Sequence, residues 1–506
     1  MEDLFRLIKS MDTEEKRYFR RFGLKDDSKG KSQTEKLFDL LDETVQYNEE
    51  QLAFRLKREK LDKQLASLKS YLYERLLDSL LWYRKHSTPG LSNAFELAKI
   101  GLLEDRGLQH EADKLTRKLL PAMLQSSSFT DQWNALGKYI SEASNAYLSH
   151  GKVDFEEVED KLNARRELLL QMERFSAYDS LLMQQLKIMR KAMLARNEEE
   201  LQPLNEIFNN PLVQDRRLAN SPEAMFIYYT LRIHHFSILH KAQEHYNDAV
   251  DLLKYTKTLQ VGWPVMRLLW TYAQVTQTCY ALGQWHELQQ YLQELKEVEA
   301  GNQVERMAQF TYHTQLAITL YDHHKNATAL LETLLESKKR LAEFGNRLRP
   351  DIRLSITITV ASAYVEYGHY SEAVSVCEDF LTHYEAGIRL DALLLLHAYE
   401  LVAHLETGNM LYVNNVVRNI HRYFQRHDFK GPFETTLMNA FRKLSEISDY
   451  KAHKEELLKL QTELTQTAGA AESAYHTQLL PLMQAFLQAK SEGLAIHRFV
   501  QNQKQA

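Results

Sequence analysis

The chain has 506 residues, of which 17 are Gly and 9 are Pro, well under the roughly 12% that these two breakers reach together in an average chain. With ordinary apolar and charged fractions of 44% and 26%, so few breakers exclude a loop-rich or disordered chain and point to many helices joined by short connections. The net charge of -5 lacks the clustered Lys and Arg that neutralise a nucleic-acid backbone, and two cysteines, Cys279 and Cys377, exclude a disulfide framework and match no metal or redox spacing.

The chain opens Met1-Glu-Asp-Leu-Phe-Arg6, with acid where an export signal needs positive charge, and no apolar run approaches the roughly 20 residues that span a bilayer. A cytoplasmic protein with no membrane contact is expected. Residues 1–88 read as an N-terminal helical module. Asp12 with Glu15, Ser32 with Glu35 and Asn48 with Gln51 each have the spacing of a helix N-cap and its third residue. A long helix follows from about residue 60 to 86, and Ser87-Thr-Pro-Gly90 ends the module. Residues 51–85 hold nine Lys or Arg against four Asp or Glu beside an apolar face of Leu61, Leu65, Leu68, Leu72 and Leu76. Such a helix could read DNA; the favoured account is a solvated face on a helix that packs the module against the first repeat.

From residue 91 to 465 one phrase recurs. Its clearest copy is Tyr367-Gly-His-Tyr-Ser-Glu-Ala373, preceded by Ala361 and Tyr364. Leu282-Gly-Gln-Trp-His-Glu-Leu288, Tyr321-Asp-His-His-Lys-Asn-Ala327 and Gln243-Glu-His-Tyr-Asn-Asp-Ala249 align beneath it. Anchored on the glycine position, copies fall at Gly107, Gly151, Arg196, Glu244, Gly283, Asp322, Gly368, Gly408 and Ser448, spaced by 39 to 48 residues. Each unit predicts one antiparallel helix pair that must stack on its neighbours to bury its apolar stripe. Glycine at the anchor ends the first helix in a left-handed conformation.

The small, aromatic, glycine, aromatic, small pattern of Ala361, Tyr364, Gly368, Tyr370 and Ala373 resembles tetratricopeptide repeats, and the turn at Gly107 to Ala112 is similar. The resemblance implies an all-α, right-handed α-solenoid of about nine antiparallel helix hairpins whose first helices line a concave groove for peptides or protein surfaces. Units near 40 residues exceed the family's 34. The layout, an N-terminal module before the array, resembles bacterial proteins of this class. Residues 466–506 are expected to be a C-terminal capping helix and tail, frayed from Gln501.

Five arginines, Arg232, Arg267, Arg306, Arg353 and Arg389, lie 12, 16, 16, 15 and 19 residues before their anchors. At about 100° per residue those offsets share an arc of roughly 100°, which predicts a basic stripe joined by Tyr228, Gln309 and Tyr312. Guanidinium groups grip carboxylates in a bidentate manner, so an acidic or carboxylate-bearing partner is expected. The Asn clamp of some tetratricopeptide proteins is absent: Gln277, Leu316, Ser362 and Val402 stand at its positions.

Histidines number 20, but His234, His235, His240 and His245, or His323 and His324, lack a metal-binding arrangement on one helical face. No metal, no cofactor and no catalytic residues are predicted. The expected function is a non-catalytic scaffold or adaptor; the alternative is a regulator whose N-terminal module binds DNA or a protein while the repeats sense a ligand.

Overall fold

The structure, a computed structural model, describes residues 1–23, 32–44, 47–59, 61, 65–85, 89–126, 128–151, 153–192, 198–259, 263–382, 390–426, 431–447, 449–468 and 476–504. Arg196, Arg389 and Ser448 lie outside the described residues. Among the described residues there are 25 α-helices and no strand, and no helix is long and apolar enough to cross a membrane. The chain divides into two compact units, one chiefly of Met1–Leu181 with Asp215–Met225, the other of Leu182–Gln214, Phe226–Leu259 and Trp263–Ala506.

The first unit holds α1 (Glu2–Ser10), α2 (Thr13–Tyr18, running on as a π-turn over Phe19–Gly23), α3 (Gln33–Glu43), α4 (Glu49–Arg58), α5 (Leu65–Tyr83), α6 (Pro89–Asp105), α7 (Gln109–Leu124), α8 (Phe129–His150) and α9 (Phe155–Ala192, its end from Leu182 counted with the second unit). All three N-caps read from the sequence form: Asp12, Ser32 and Asn48 accept from the backbone N–H groups of Glu15, Glu35 and Gln51. Glu15 also closes the box by accepting from the Asp12 N–H, and its other oxygen takes two bonds from Arg84 at 2.8 and 2.6 Å. Phe19, Leu37, Phe38, Leu72 and Leu76 form the module's core. Three of the basic residues in 51–85 bind inside it: Arg55 reaches Glu43 and Thr44, Arg75 the Gly23 carbonyl, and Arg84 Glu15. Pro89, within the expected break, opens α6, since proline without its N–H fits a first helical turn.

The second unit continues through α10 (Glu198–Phe208), α11 (Pro211–Gln214), α12 (Pro222–Ile238, its start up to Met225 counted with the first unit), α13 (Ala242–Thr258), α14 (Val265–Ala281), α15 (Trp285–Glu297), α16 (Gln303–His323), α17 (Ala327–Phe344), α18 (Pro350–Glu366), α19 (Tyr370–Thr382), α20 (Leu390–Glu406), α21 (Met410–Arg426), α22 (Pro432–Glu446), α23 (Lys454–Ala468), α24 (His476–Ser491) and α25 (Ile496–Gln503). Successive helices pack as pairs, and the first helices also pack on one another, α14 on α16, α16 on α18 and α18 on α20. This is the packing of a helical solenoid. From α16 to α25 one apolar core runs through it, with Phe344, Tyr364, Phe380 and Leu393 to Leu396 buried and Ala361 and Ala373 admitting close helix approach.

Each first helix from α12 to α20 ends in the same turn. His240, Gly283, Lys325, Gly368 and Gly408 all have positive φ, between 53° and 78°, and the next N–H returns to the carbonyl five residues back, as Lys241 does to Phe236 and His369 to Tyr364. That is a Schellman closure. Two anchors read from the sequence are therefore corrected. The α12–α13 turn lies at His240, not Glu244, and the α16–α17 turn at Lys325, not Asp322, because aromatic and small residues inside α13 and α16 imitate the turn's spacing. The true turns, 240, 283, 325, 368 and 408, are 43, 42, 43 and 40 residues apart, more even than the sequence alignment. Recounted from them, Arg232 and Arg306 lie 8 and 19 residues before their turns, and the arginine arc stays near 100°.

The C-terminal segment is a shortened further pair. Gly493 turns with φ 71° and Leu494 N–H returns to Ala489, so α24 and α25 repeat the closure. They turn back so that α24 lies on α20 and α25 on α18. Residues 501 to 504, expected to fray, are ordered: Lys504 Nζ bonds Asp322 at 2.7 Å and Glu366 at 3.0 Å.

A left-handed residue with a Cβ is strained by about 1–2 kcal/mol, so His240→Gly, at an exposed turn, should leave the array slightly more stable. Gly368→Ala should destabilise it by a similar amount, since a Cβ there would also sit 3.1 Å from the His497 ring. Opposite shifts of the thermal midpoint are expected from the two variants.

Candidate functional site

The predicted arginines take three different roles. Arg232 on α12 pairs with Asp248 on α13 at 2.9 Å and lies about 5.5 Å from the Phe208, Tyr228 and Phe236 rings. Arg353 on α18 is 5% exposed, bonds the Asp379 carboxylate of α19 at 3.2 Å and covers Phe380. Both reach the second helix of their own pair. Arg267 is half-buried over Phe226 and Trp263, at 5.1 and 5.0 Å. Arg306 is exposed at the first turn of α16. A 100° arc is wide enough to run from the seam between paired helices to open solvent, so one stripe on a helical wheel becomes ties at one edge and surface charge at the other.

The companions divide likewise. Tyr228 is buried. Gln309 donates its amide to the carbonyls of Leu295, Lys296 and Val298, at 2.8 to 3.1 Å, and so caps the end of α15. Tyr312 is half-buried, and burial pushes its hydroxyl pKa up.

Of the histidines singled out in the sequence, His234, His235, His245 and His323 are packing residues, and His240 is the exposed turn residue. His235 stacks on Phe208 and His323 on Trp285, with centroids 3.9 and 3.7 Å apart. His234 meets Gln185 at 3.0 Å and His245 meets Gln274 at 3.2 Å. Burial pushes His234, His235 and His313 down to about 4.

A site not anticipated from the sequence lies where α19, α20 and α21 meet, around a cavity of about 440 Å³ lined in part by Glu378, His397, Glu400, Tyr412 and Arg422. His397, Glu400 and His404 are spaced by three and four residues on α20, which puts them on one helical face. Glu400 is 2% and His404 4% exposed. Tyr412 donates its hydroxyl to Glu378 at 3.0 Å, and His397 Nδ1 meets Glu400 Oε2 at 2.9 Å. His404 packs against the Tyr412 ring, 4.1 Å between centroids. Burial, opposed by Glu400 and Glu378, lowers the His404 pKa; burial and the same carboxylates raise that of Tyr412. Among the described residues, no Lys or Arg forms an ion pair with Glu378 or Glu400. The signal is present in the sequence as His397-x-x-Glu-x-x-x-His404, a spacing unlike that of the adjacent pairs His234-His235 and His323-His324.

At the turn edge of the array, the C-terminal pair supplies a second feature. Ile496 and Phe499 of α25 are buried, Tyr370 Oη meets His497 Nδ1 at 2.8 Å, and Glu406 takes both the Ile496 N–H and Lys490, each at 2.9 Å. Although burial opposes it, Glu366 and Asp322 hold the Lys504 ammonium above its usual range.

No protein-family model matches this chain, and neither the curated proteins nor the solved structures yield a match.

Two outcomes are expected of this arrangement. Arg353→Ala, which strips a buried stem and its ion pair, should destabilise the array by about 1–3 kcal/mol, whereas Arg306→Ala at the surface should stay within about 0.5 kcal/mol; thermal unfolding distinguishes them. The second concerns pH. On unfolding, His234, His235 and His313 return from about 4 to the ordinary 6.5, so the unfolded chain binds more protons between those values. The stability they contribute is whole above pH 6.5 and falls as the pH drops toward 4. Urea midpoints across that window should decline, and His313→Asn should flatten the slope.

Proposed function

We propose that this chain is a tetratricopeptide-like solenoid that binds a protein or peptide segment without catalysis, on the face built from its first helices. The observation that carries the reading is α25. The repeats already hold a short amphipathic helix, using an apolar contact at Ile496 and Phe499 and a lysine set between two carboxylates. A surface that seats a helix of its own chain has the chemistry to seat another's: an apolar strip flanked by fixed charges. The C-terminal pair rests on α18 and α20, so the binding region is assigned to α14 and α16. There Arg267 and Arg306 stand on the first turns of adjacent helices, suited to carboxylates on the partner.

In this reading the array is right-handed with its first helices concave, as in tetratricopeptide proteins. Two free, buried cysteines fit a reducing compartment such as the cytoplasm.

The test is affinity capture with the full chain and with an Arg267→Glu, Arg306→Glu variant, quantifying each retained protein. Charge reversal at both positions should lower retention of the specific partner by on the order of tenfold or more, and Arg306→Glu alone, at an exposed position, should lower it with unfolding unchanged. Equal retention of every protein would remove the first-helix face from the proposal.

A further inference from the structure

We propose that Glu378, Glu400 and His404 form a binding site for a first-row divalent cation of the zinc class, cross-linking α19 to α20. A carboxylate oxygen from each glutamate and a ring nitrogen of His404 lie within 4.8 Å of one another. The independent observation is His404 itself: it is 96% buried by its 4% exposure, and its Nε2 has no hydrogen-bond partner. A buried polar atom left unpaired costs about 1–3 kcal/mol, and such atoms are uncommon in folded chains. A cation among these donors satisfies it. The same cation compensates two carboxylates that, among the described residues, have no Lys or Arg partner.

Each donor is also held from behind. Tyr412 fixes Glu378 through Oε1, and His397 fixes Glu400 through Oε2. The side-chain amide of Asn409 lies 3.4 Å from His404 Nδ1. With its oxygen turned to the ring, that amide accepts the Nδ1–H and leaves the lone pair on Nε2. Three ligands with three orienting partners is the layered construction of metal sites.

The donor set selects the ion. One imidazole and two carboxylates suit zinc and its neighbours, which bind N and O donors at about 2.0–2.2 Å in low coordination number. Calcium takes about six to eight oxygens, and magnesium keeps near-ideal octahedral oxygen geometry. Donors around a tetrahedral ion stand roughly 3.5 Å apart, closer than the present limit, and the half-buried Glu378 on α19 is the arm that closes the difference. The remaining coordination position opens toward the cavity and takes water. The lining residue Arg422 disfavours a second cation beside the first.

The experiment uses the full chain stripped with chelator and titrated with Co²⁺, read by visible absorption, and with Zn²⁺, read by calorimetry. One ion per chain is expected, with a raised thermal midpoint. Glu400→Gln and His404→Gln should each weaken binding by more than about 100-fold, beyond the loss typical of an orienting partner. Glu378→Gln, at a half-buried position, should do the same with unchanged helicity, so a folding defect in the buried variants does not decide the matter. The double variant His323→Gln, His324→Gln should bind as the unaltered chain does. Absence of stoichiometric binding by the unaltered chain overturns the proposal, as does retention of its affinity in Glu378→Gln. So does loss of binding in the His323, His324 variant alone.

Discussion

The turn that closes each first helix governs the rest of the second unit. A residue in the left-handed region lets two backbone N–H groups fold back on the last carbonyls, which reverses the chain within two residues and starts the second helix at once. Because this closure recurs every 40 to 43 residues from His240 to Gly408, successive pairs have nearly equal length and their apolar stripes meet in register. The side-by-side row of first helices follows from that equality. So does the placement of polar groups at fixed distances from each turn: Asp322, Glu366 and Glu406 all fall within three residues before a left-handed residue, and all three receive a bond from the C-terminal pair.

Much of this was legible. Three N-caps, the glycine turns at 107, 151, 283, 368 and 408 and the close-packed alanines were readable because each depends on a local backbone need that only a few residue types meet. The turns at His240 and Lys325 were misplaced because a non-glycine left-handed residue carries no signature of its own, and its strain is borne by the surrounding packing. The arginine arc rests on angle alone. Angle around a helix says which side a residue leaves from, yet Arg353 and Arg306 leave from nearby angles and end up buried and exposed. What separates them is the carboxylate across the seam, Asp379 for Arg353, and that depends on which second-helix residue the stacking brings opposite.

The cavity at Glu378, Glu400 and His404 was out of reach for a related reason. Two of its groups share α20, but the third comes from the preceding helix, and neither its depth nor the unpaired imidazole nitrogen has any counterpart in spacing. Polar residues in an otherwise apolar helix, His397, Glu400 and His404 among Leu393 to Leu405, are the hint the sequence carries.

In a helical array whose units touch only their neighbours, opening spreads inward from the ends one unit at a time. The bonds from Lys490, Ile496 and Lys504 to Glu406, Glu366 and Asp322 connect units that are not adjacent in the chain, Lys504 and Asp322 being 182 residues apart. They convert the repeats between α16 and α25 from a row of independent links into a closed circuit. The end of that circuit does not fray without breaking the bracket, which favours opening of this half of the molecule as one block.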